Sequence, residues 1–251
     1  MRLCARSAQA WLLYGLQVRT NPALLDRLSA DIFNQSKMKN PTAPLLTLEA
    51  CDLAVRQRTM LMGVVSREYF SLMAREYDAI RPHLPRTISR LLDIGSGLGG
   101  IHVHTLRDFG NQVEVNLLDH DRSDGKMRYG FREKTEAYNS FLQSRTYFER
   151  AGIPADDVKY WDADSATDLE RLQQHEGKFD AIISLKSWCF HYPAETYLHL
   201  VEKLLAKDGV LIVDVRRDSG VKAVLIRQFD PTSVAAHDQK SERLCLRRRC
   251  L

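Results

Sequence analysis

The chain has 251 residues, of which 44% are hydrophobic and 27% are charged, and its formal net charge is +4. This composition is that of a globular protein with one large domain or one domain and an appendage, and it excludes a disordered chain, a collagen and a membrane bundle. The last twelve residues carry five basic residues and one acid. The rest of the chain is therefore neutral and does not predict a surface that coats nucleic acid.

The cysteines and the N-terminus predict a cytoplasmic protein. An odd, scattered set without a C-x-x-C pair is typical of a reducing compartment and not of a disulfide framework or a zinc site; its members are Cys4, Cys51, Cys189, Cys245 and Cys250. The early arginines Arg2, Arg6 and Arg19 resemble those of a transit peptide. No apolar segment with a small-residue cleavage site follows them, so we expect an ordinary N-terminal helix.

The first 85 residues predict a helical N-terminal cap. Residues 1–35 indicate one or two helices, and residues 46–80 indicate another after a polar linker. One face of the latter helix is apolar at helical spacing; it comprises Phe70, Met73, Tyr77 and Ile80. Pro82 and Pro85 should end this helix, because the residue before a proline is pushed out of the helical region.

From residue 86 to 251 the pattern changes to alternating strands and helices. Five apolar runs predict strands, at residues 90–94, 113–118, 158–161, 179–185 and 210–215. Helices are predicted at residues 100–109, 132–151, 194–206 and 220–229, and two extended runs at residues 233–237 and 244–248 predict a closing hairpin. Such alternation indicates a doubly wound, mostly parallel α/β sheet covered on both faces.

A glycine-rich turn joins the first strand to the first helix of this region. Its sequence satisfies both Gly95-x-Gly97-x-x-Gly100 and Gly95-x-Gly97-x-Gly99. Glycines allow a tight turn and close approach of a ligand, and the helix N-terminus offers free N–H groups. Asp119 ends the next strand about 20 residues later, where a carboxylate can accept hydrogen bonds from a ribose diol. The pattern predicts a nucleoside ligand.

Asp93 indicates which kind of nucleoside ligand the site would bind. It lies two residues before Gly95, where its carboxylate would repel a pyrophosphate and attract an ammonium group. S-adenosylmethionine has an amino group, a sulfonium and a ribose, and no phosphate. The charge pattern therefore favours S-adenosylmethionine over NAD as the cofactor.

The segment Leu91 to Gly100 resembles the first motif of the Rossmann-like, or class I, S-adenosylmethionine-dependent methyltransferases. The similarity extends over residues 86–250 and implies a seven-stranded Rossmann-like sheet with a reversed last strand. In this family an acid at Asp119 binds the ribose and one at Asp162 contacts the adenine amino group, with Asp164 as an alternative. The implied cofactor residues are Asp93, Gly95, Ser96, Gly97, Gly99, Asp119, His120, Asp162, Ala163 and Ser184.

The segment 186–193 is predicted to be a loop after the fourth strand that contacts the acceptor. It lacks both the Asn/Asp-Pro-Pro-aromatic motif of N-methyltransferases and the aspartate of magnesium-dependent relatives, which disfavours nucleic acid and metal. Aromatic faces suit a sugar or a flat natural product, and the loop carries Trp188, Phe190, His191 and Tyr192. Trp188 and Phe190 fit packing equally well. Together with residues 128–131 and 138–141, the loop resembles bacterial sugar O-methyltransferases.

Three polar residues outside these motifs have structural interpretations. Asp180 starts the fourth strand, away from the predicted site, and should cap or pair locally. His102 and His104 lie in the first turns of the helix after the glycine turn, where one of them should face solvent.

The sequence therefore predicts an S-adenosylmethionine-dependent methyltransferase that acts on a hydroxyl of a small molecule, such as a saccharide or secondary metabolite. His191 is the predicted proton acceptor, with Tyr192 beside it, and no metal is required. The expected partner is the small acceptor and not a membrane or a nucleic acid, and a homodimer is one expected assembly. The alternatives are an RNA methyltransferase that uses the basic C-terminal tip, a non-catalytic methyltransferase-like binding module, and a nicotinamide dehydrogenase, which Asp93 disfavours.

Overall fold

The computed structural model describes residues 69–122, 139–236 and 239–249. The chain divides into two compact units, residues 1–72 and 73–251, and the elements below belong to the second unit. Most of the predicted helical cap lies outside the described residues and stays a prediction. A helix, α1, occupies residues 73–80 of the second unit and gives way to the 3-10 helix Arg81–His83, as its prolines predict.

Seven strands form a single mostly parallel sheet. The described strands are β1 (Arg90–Ile94), β2 (Glu114–Asp119), β3 (Val158–Asp162), β4 (Phe179–Ser184), β5 (Ser187–Tyr192), β6 (Leu205–Arg216), β7 (Phe229–Ala236) and β8 (Ser241–Arg248). The sheet has the order β3-β2-β1-β4-β6-β8-β7. Strands β3, β2, β1, β4 and β6 run parallel, whereas β8 is antiparallel to both of its neighbours. The predicted Rossmann-like sheet with its reversed last strand is confirmed.

Helices connect these strands. They are α2 (His102–Phe109), α3 (Phe141–Arg150), α4 (Ala166–Gln173), α5 (Leu198–Leu204) and α6 (Val221–Gln228), with 3-10 turns at Gly110–Gln112, Ala155–Asp157 and Ala194–Thr196. Helix α4 was not predicted; it begins after Ser165, whose side chain accepts a hydrogen bond from the N–H of Asp168. The predicted helix over residues 132–151 is wrong in its N-terminal bound, because Ser140 has extended backbone angles (φ −148°, ψ 120°).

The core lies on the central strands. β1, β4 and β6 are apolar and buried along most of their length, as expected for a sheet covered on both faces. Each fully buried aliphatic side chain contributes roughly 1.5–3 kcal/mol by leaving water; examples are Leu91, Leu92, Ile182, Ile183, Leu211 and Ile212. None of the helices in the described ranges is long and apolar enough to cross a bilayer.

Two predicted connections are strands instead. The segment predicted as a loop over residues 186–193 contains β5, which follows β4 closely but is not one of the seven strands of the sheet. This segment is rich in aromatic residues, which have high strand propensity, and it therefore forms a strand where a loop was predicted. The predicted helix end at residues 207–209 lies within β6, where the register shifts between the pairs Phe179–Leu205 and Ala181–Val210.

Candidate cofactor site

The predicted cofactor residues come together at the carboxyl edge of the parallel strands. Asp93 precedes the last residue of β1, and the glycine turn leaves the sheet directly after that strand. β2 ends at Asp119 and β3 ends at Asp162, and these two residues are register partners. Ligands of open α/β sheets bind at this edge. The fold thus places three acids at the same edge of the sheet.

Asp119 is bound to the glycine turn by backbone hydrogen bonds. Its Oδ2 accepts from the N–H of Gly97 at 2.6 Å, and its Oδ1 accepts from the N–H of His120 at 2.7 Å. The side chain is half-buried. The pKa of Asp119 is raised to about 6, mainly by burial and least by the charge of Asp93, whereas these two N–H groups and the charge of His120 lower it. The two carboxylates therefore interact across the site.

Asp93 is held by a histidine from the next helix. Asp93 is 5% exposed, and its Oδ2 lies 2.8 Å from Nε2 of His102, which is completely buried in the first turn of α2. His104 is half-buried, with its ring 6.0 Å from that of Tyr77. One of these two histidines was expected to face solvent. His102 does not, and His104 is only partly exposed.

Two glycines of the turn allow close packing that no other residue permits. Gly95 has φ +71°, and a Cβ on it would lie 1.6 Å from Oγ of Ser187. Gly99 has φ +69°, and a Cβ on it would lie 2.8 Å from Cδ1 of Leu117 and 3.0 Å from Cζ of Phe148. The first contact places β5 directly against the glycine turn, and the second allows α3 to pack on β2.

The acids after β3 form a polar cluster with the residues after β2. Oδ1 of Asp162 accepts hydrogen bonds from the N–H groups of Asp164, at 3.0 Å, and of Asp121, at 3.4 Å. Oδ2 of Asp164 lies 3.0 Å from Nδ1 of His120 and 2.8 Å from Nε of Arg122. Asp164 is therefore engaged by two cationic or potentially cationic groups, which leaves Asp162 the better candidate for contact with an adenine amino group.

Three other predicted cofactor residues differ in whether their polar groups already have hydrogen-bond partners within the chain. Oγ of Ser96 is buried and has no hydrogen-bond partner within the described part of the chain. The N–H of Ala163 donates to the carbonyl oxygen of Asp119 at 2.9 Å. Ser184 is completely buried, where its Oγ donates to the last carbonyl of β1 at 2.8 Å and accepts from the N–H of Trp188 at 3.0 Å. Ser184 therefore connects strands, whereas the Ser96 hydroxyl has no partner among the described residues.

β5 contributes both core residues and site candidates. Trp188 is completely buried and its Nε1 donates to the carbonyl oxygen of Ala194 at 2.9 Å, while Phe190 is 7% exposed. These two aromatic residues therefore pack in the core and do not offer open faces to a sugar, which corrects the functional interpretation. His191 and Tyr192 are half-buried, with the His191 ring 5.0 Å from that of Phe190.

Tyr197, which was not predicted, is a further candidate residue, because charges of the site act on its phenol. It is half-buried just before α5, with its ring edge-on to Trp188 at 6.4 Å. Burial raises the pKa of Tyr197, and negative charge on Asp119, Tyr192 and Asp164 raises it further. The phenol therefore stays neutral near these groups and can donate a hydrogen bond. Its position after Pro193 gave no sequence signal, because only folding brings it toward Asp119.

Of the basic C-terminal residues, Arg247, Arg248 and Arg249 lie toward the opposite edge of the sheet, whereas Lys240 and Arg243 lie near the carboxyl end of β6. Arg247 on β8 pairs with Val210, which lies in the first half of β6. β6 reaches the carboxyl edge of the sheet only at Arg216. At about 3.3 Å per residue, Arg216 is about 20 Å from Val210. Arg247 is exposed, as expected. Asp180 also lies toward this edge, where it accepts hydrogen bonds from the N–H groups of Ser89 and Arg90. The prediction that Asp180 lies away from the site is confirmed, but its partners are in the neighbouring strand β1 and the residue before it, and are not local in the chain.

The fold is similar to those of known proteins. One is the PH0226 protein from Pyrococcus horikoshii OT3, with a TM-score of 0.54 and 15% identity over 72% of this chain and 92% of that one. Another is geranyl diphosphate C-methyltransferase from Streptomyces coelicolor A3(2), solved with Mg²⁺, geranyl diphosphate and S-adenosyl-L-homocysteine, with a TM-score of 0.51 and 12% identity over 73% and 82%. No protein-family profile matches the chain, and no curated protein matches its sequence. The similarity establishes a shared fold.

Proposed function

We propose that the protein is an S-adenosylmethionine-dependent methyltransferase. The observation that carries this proposal is the placement of two carboxylates beside the glycine turn: Asp93 near the end of β1, and Asp119 at the end of the neighbouring parallel strand β2, where it accepts a hydrogen bond from the N–H of Gly97. Such a pair attracts a ligand with a cationic group and a hydroxyl donor, and it repels a pyrophosphate. The fold shared with a methyltransferase that was solved with S-adenosyl-L-homocysteine supports this choice.

The residues present fit this cofactor. Asp119 would accept hydrogen bonds from the ribose diol, and Asp162 would accept one from the adenine amino group. Oγ of Ser96, buried without a partner in the described residues, would hydrogen-bond the amino-acid portion of the ligand. A buried hydroxyl without a partner is costly, so a ligand that satisfies it gains affinity. Asp93 would face the cationic amino group.

The bound cofactor would supply a methyl group activated by its sulfonium: the carbon–sulfur bond breaks, the electron pair stays on sulfur, and a carbon–oxygen bond forms to the acceptor. The chain's own residues must then hold the acceptor in line and exclude water. β5 covers the glycine turn through Ser187 and forms one wall of the site. His191 would take the proton that leaves the acceptor hydroxyl.

We propose a hydroxyl of a small molecule, such as a saccharide or secondary metabolite, as the acceptor. His191 and Tyr192 are half-buried on the strand after β4, and Tyr197 adds a neutral phenol nearby. These groups can hydrogen-bond a polyhydroxylated ligand and lie against its ring. The RNA alternative is weaker, because Arg247 lies about 20 Å along β6 from the carboxyl edge.

Calorimetry with S-adenosylhomocysteine and with NAD tests the cofactor. We expect micromolar binding of the former and none comparable of the latter, and tighter NAD binding would contradict the proposal. Replacing Asp119 with Ala should weaken S-adenosylhomocysteine binding by about 1.5–3 kcal/mol, the scale of hydrogen bonds to a charged group. Asp230→Asn, which changes an exposed acid on β7, is the matched control and should leave the affinity unchanged.

A screen with methyl-labelled cofactor tests the acceptor. Saccharide, polyphenol and RNA pools are offered to the wild-type protein, and labelled product is separated by class. We expect label in a hydroxylated small molecule. Label in RNA would favour the alternative enzyme, and cofactor binding without transfer to any pool would indicate a binding module.

A further inference from the structure

We propose that His102 is a positioning residue that fixes the carboxylate of Asp93 and thereby makes the site select ligands that carry a cationic amino group. The inference rests on the proposed function and goes beyond it, because it assigns a role to a buried histidine outside the residues expected to touch the cofactor. His102 itself would not contact the ligand. It would act through Asp93.

The contact joins the end of β1 to the first turn of α2. Nε2 of His102 lies 2.8 Å from Oδ2 of Asp93, and both side chains are buried. On the other side of the ring, Nδ1 lies 3.4 Å from Oγ1 of Thr105, which is also completely buried. The imidazole is therefore held on both nitrogens, and its orientation is fixed by the helix that follows the glycine turn.

These two contacts place a proton on Nε2 of His102, and the proposed role requires the ring to be neutral. An ionised carboxylate can only accept a hydrogen bond, so the proton must lie on Nε2 of His102. In the neutral ring Nδ1 is then an acceptor, and the hydroxyl of Thr105 can donate to it. A neutral ring with its proton on Nε2 satisfies all three groups without adding a positive charge.

A neutral donor orients Asp93 without cancelling its negative charge. Asp119 adds a second negative charge to the same site, as the effect of Asp93 on its pKa shows. A positively charged amino group beside Asp93 would relieve both the cost of the buried carboxylate and its repulsion of Asp119. A lysine or arginine at position 102 would instead neutralise Asp93 and remove this preference.

The test compares two nucleosides that differ in the amino-acid portion. S-adenosylhomocysteine carries an amino-acid portion with a cationic amino group and a carboxylate, and 5′-methylthioadenosine carries neither, so the ratio of their affinities reports the part of the site that binds this portion. For the wild-type protein we expect a ratio of about 10- to 100-fold, the scale of a charge-assisted hydrogen bond. His102→Leu should lower the ratio to within about threefold while leaving 5′-methylthioadenosine affinity nearly unchanged.

Two variants separate positioning from simple packing. His102→Gln carries an N–H group at a reach similar to that of Nε2 and should restore most of the ratio. His104→Leu changes the neighbouring histidine of α2, which faces Tyr77, and should leave the ratio at the wild-type value. A His102→Leu protein that keeps the full ratio would overturn the inference and leave the proposed function intact, whereas a wild-type protein that binds neither nucleoside would overturn both.

Nitrogen NMR on the wild-type protein tests the inference even if His102→Leu fails to fold. The His102 signal, assigned by its loss in His102→Gln, should show a neutral ring protonated at Nε2 at neutral pH. A ring protonated at Nδ1 alone could not donate to Asp93, and a cationic ring would neutralise it. Either result would overturn the inference.

Discussion

The N–H of Gly97 donates to Oδ2 of Asp119 at 2.6 Å, so the acid expected to bind the ribose also holds the glycine turn. The second oxygen of Asp119 accepts from the N–H of His120. A ligand hydroxyl must therefore share a carboxylate that already has two backbone donors. A carboxylate has about four lone-pair positions, so it can accept further hydrogen bonds without losing these.

The raised pKa of Asp119 predicts a pH dependence of cofactor binding. A ribose diol donates hydrogen bonds, so it binds the ionised carboxylate, and that form is lost as the pH falls through about 6. S-adenosylhomocysteine affinity should be constant above about pH 7 and fall by up to about tenfold per pH unit below 6. Calorimetry from pH 5 to 8 measures this. In Asp119→Asn the slope should vanish, although Asp93 and His120 remain beside the site.

The stability of the ligand-free protein should change in the opposite direction. A carboxyl whose pKa is raised in the folded state, from about 4 to about 6, favours folding at low pH and loses this contribution as the pH rises through 6. The unfolding free energy of wild type relative to Asp119→Asn should therefore fall between pH 4 and 7. Urea denaturation at several pH values measures the difference, and a constant difference would show that the pKa is not raised.

Replacing His191 with Ala tests its role as the proton acceptor. A general base contributes about 10²- to 10⁴-fold, so kcat should fall by that factor while S-adenosylhomocysteine affinity stays near wild type. Tyr192→Phe is the matched neighbour and should have a smaller effect, because a phenol with an ordinary pKa near 10 is a poor base at neutral pH. A His191→Ala protein with wild-type kcat would leave positioning of the acceptor as the sole mechanism.

Chelation should leave activity unchanged. The described residues contain no group of three or more His, Cys, Asp or Glu side chains arranged to hold a metal ion. Lys186 lies directly before β5, with its Nζ 4.9 Å from the centroid of the Phe190 ring. Its positive charge would repel a divalent cation there. The measurement is turnover with EDTA, followed by added Mg²⁺. Loss of turnover with EDTA and its recovery with Mg²⁺ would contradict the prediction.

Arg243 should be among the residues most important for stability. Its Nε and Nη2 contact the two carboxylate oxygens of Asp214 at 2.8 and 2.9 Å, and Nη2 also contacts Glu76 of α1 at 2.8 Å. Arg243 and Asp214 are buried. Arg243→Met leaves a buried carboxylate without this partner and should lower the unfolding free energy by about 3–5 kcal/mol in urea denaturation.

The matched control for this prediction is an exposed arginine of the same C-terminal region. Arg249 pairs with Asp230 at 3.1 Å, and their side chains are 42% and 56% exposed. Arg249→Met should therefore cost at most about 1 kcal/mol. Equal losses for the two variants would show that the buried cluster contributes no more than a surface pair. The double variant Asp214→Leu with Arg243→Met should recover part of the loss, because it removes both charges.

The sequence alone determined the elements whose signals are local. Alternation of apolar runs and helical segments predicted the parallel sheet, and the run from Leu91 to Gly100 predicted the strand, turn and helix observed there. These predictions succeeded because strand propensity, glycine conformation and hydrophobic periodicity depend on residues that are neighbours in the chain.

Only the tertiary structure decided what the side chains of the site contact. His102, Ser184 and Trp188 lie in segments that the sequence could place, but the atoms that they contact depend on how those segments fold. Ser184 contacts Ile94 on a strand far away in the chain, whereas His102 contacts Asp93 and Trp188 contacts Ala194 across the turns between them. Tyr197 reaches the site for the same reason. A hydrogen bond between β1 and α2, or between β4 and β1, depends on how layers pack, and a single sequence contains no local pattern for that packing.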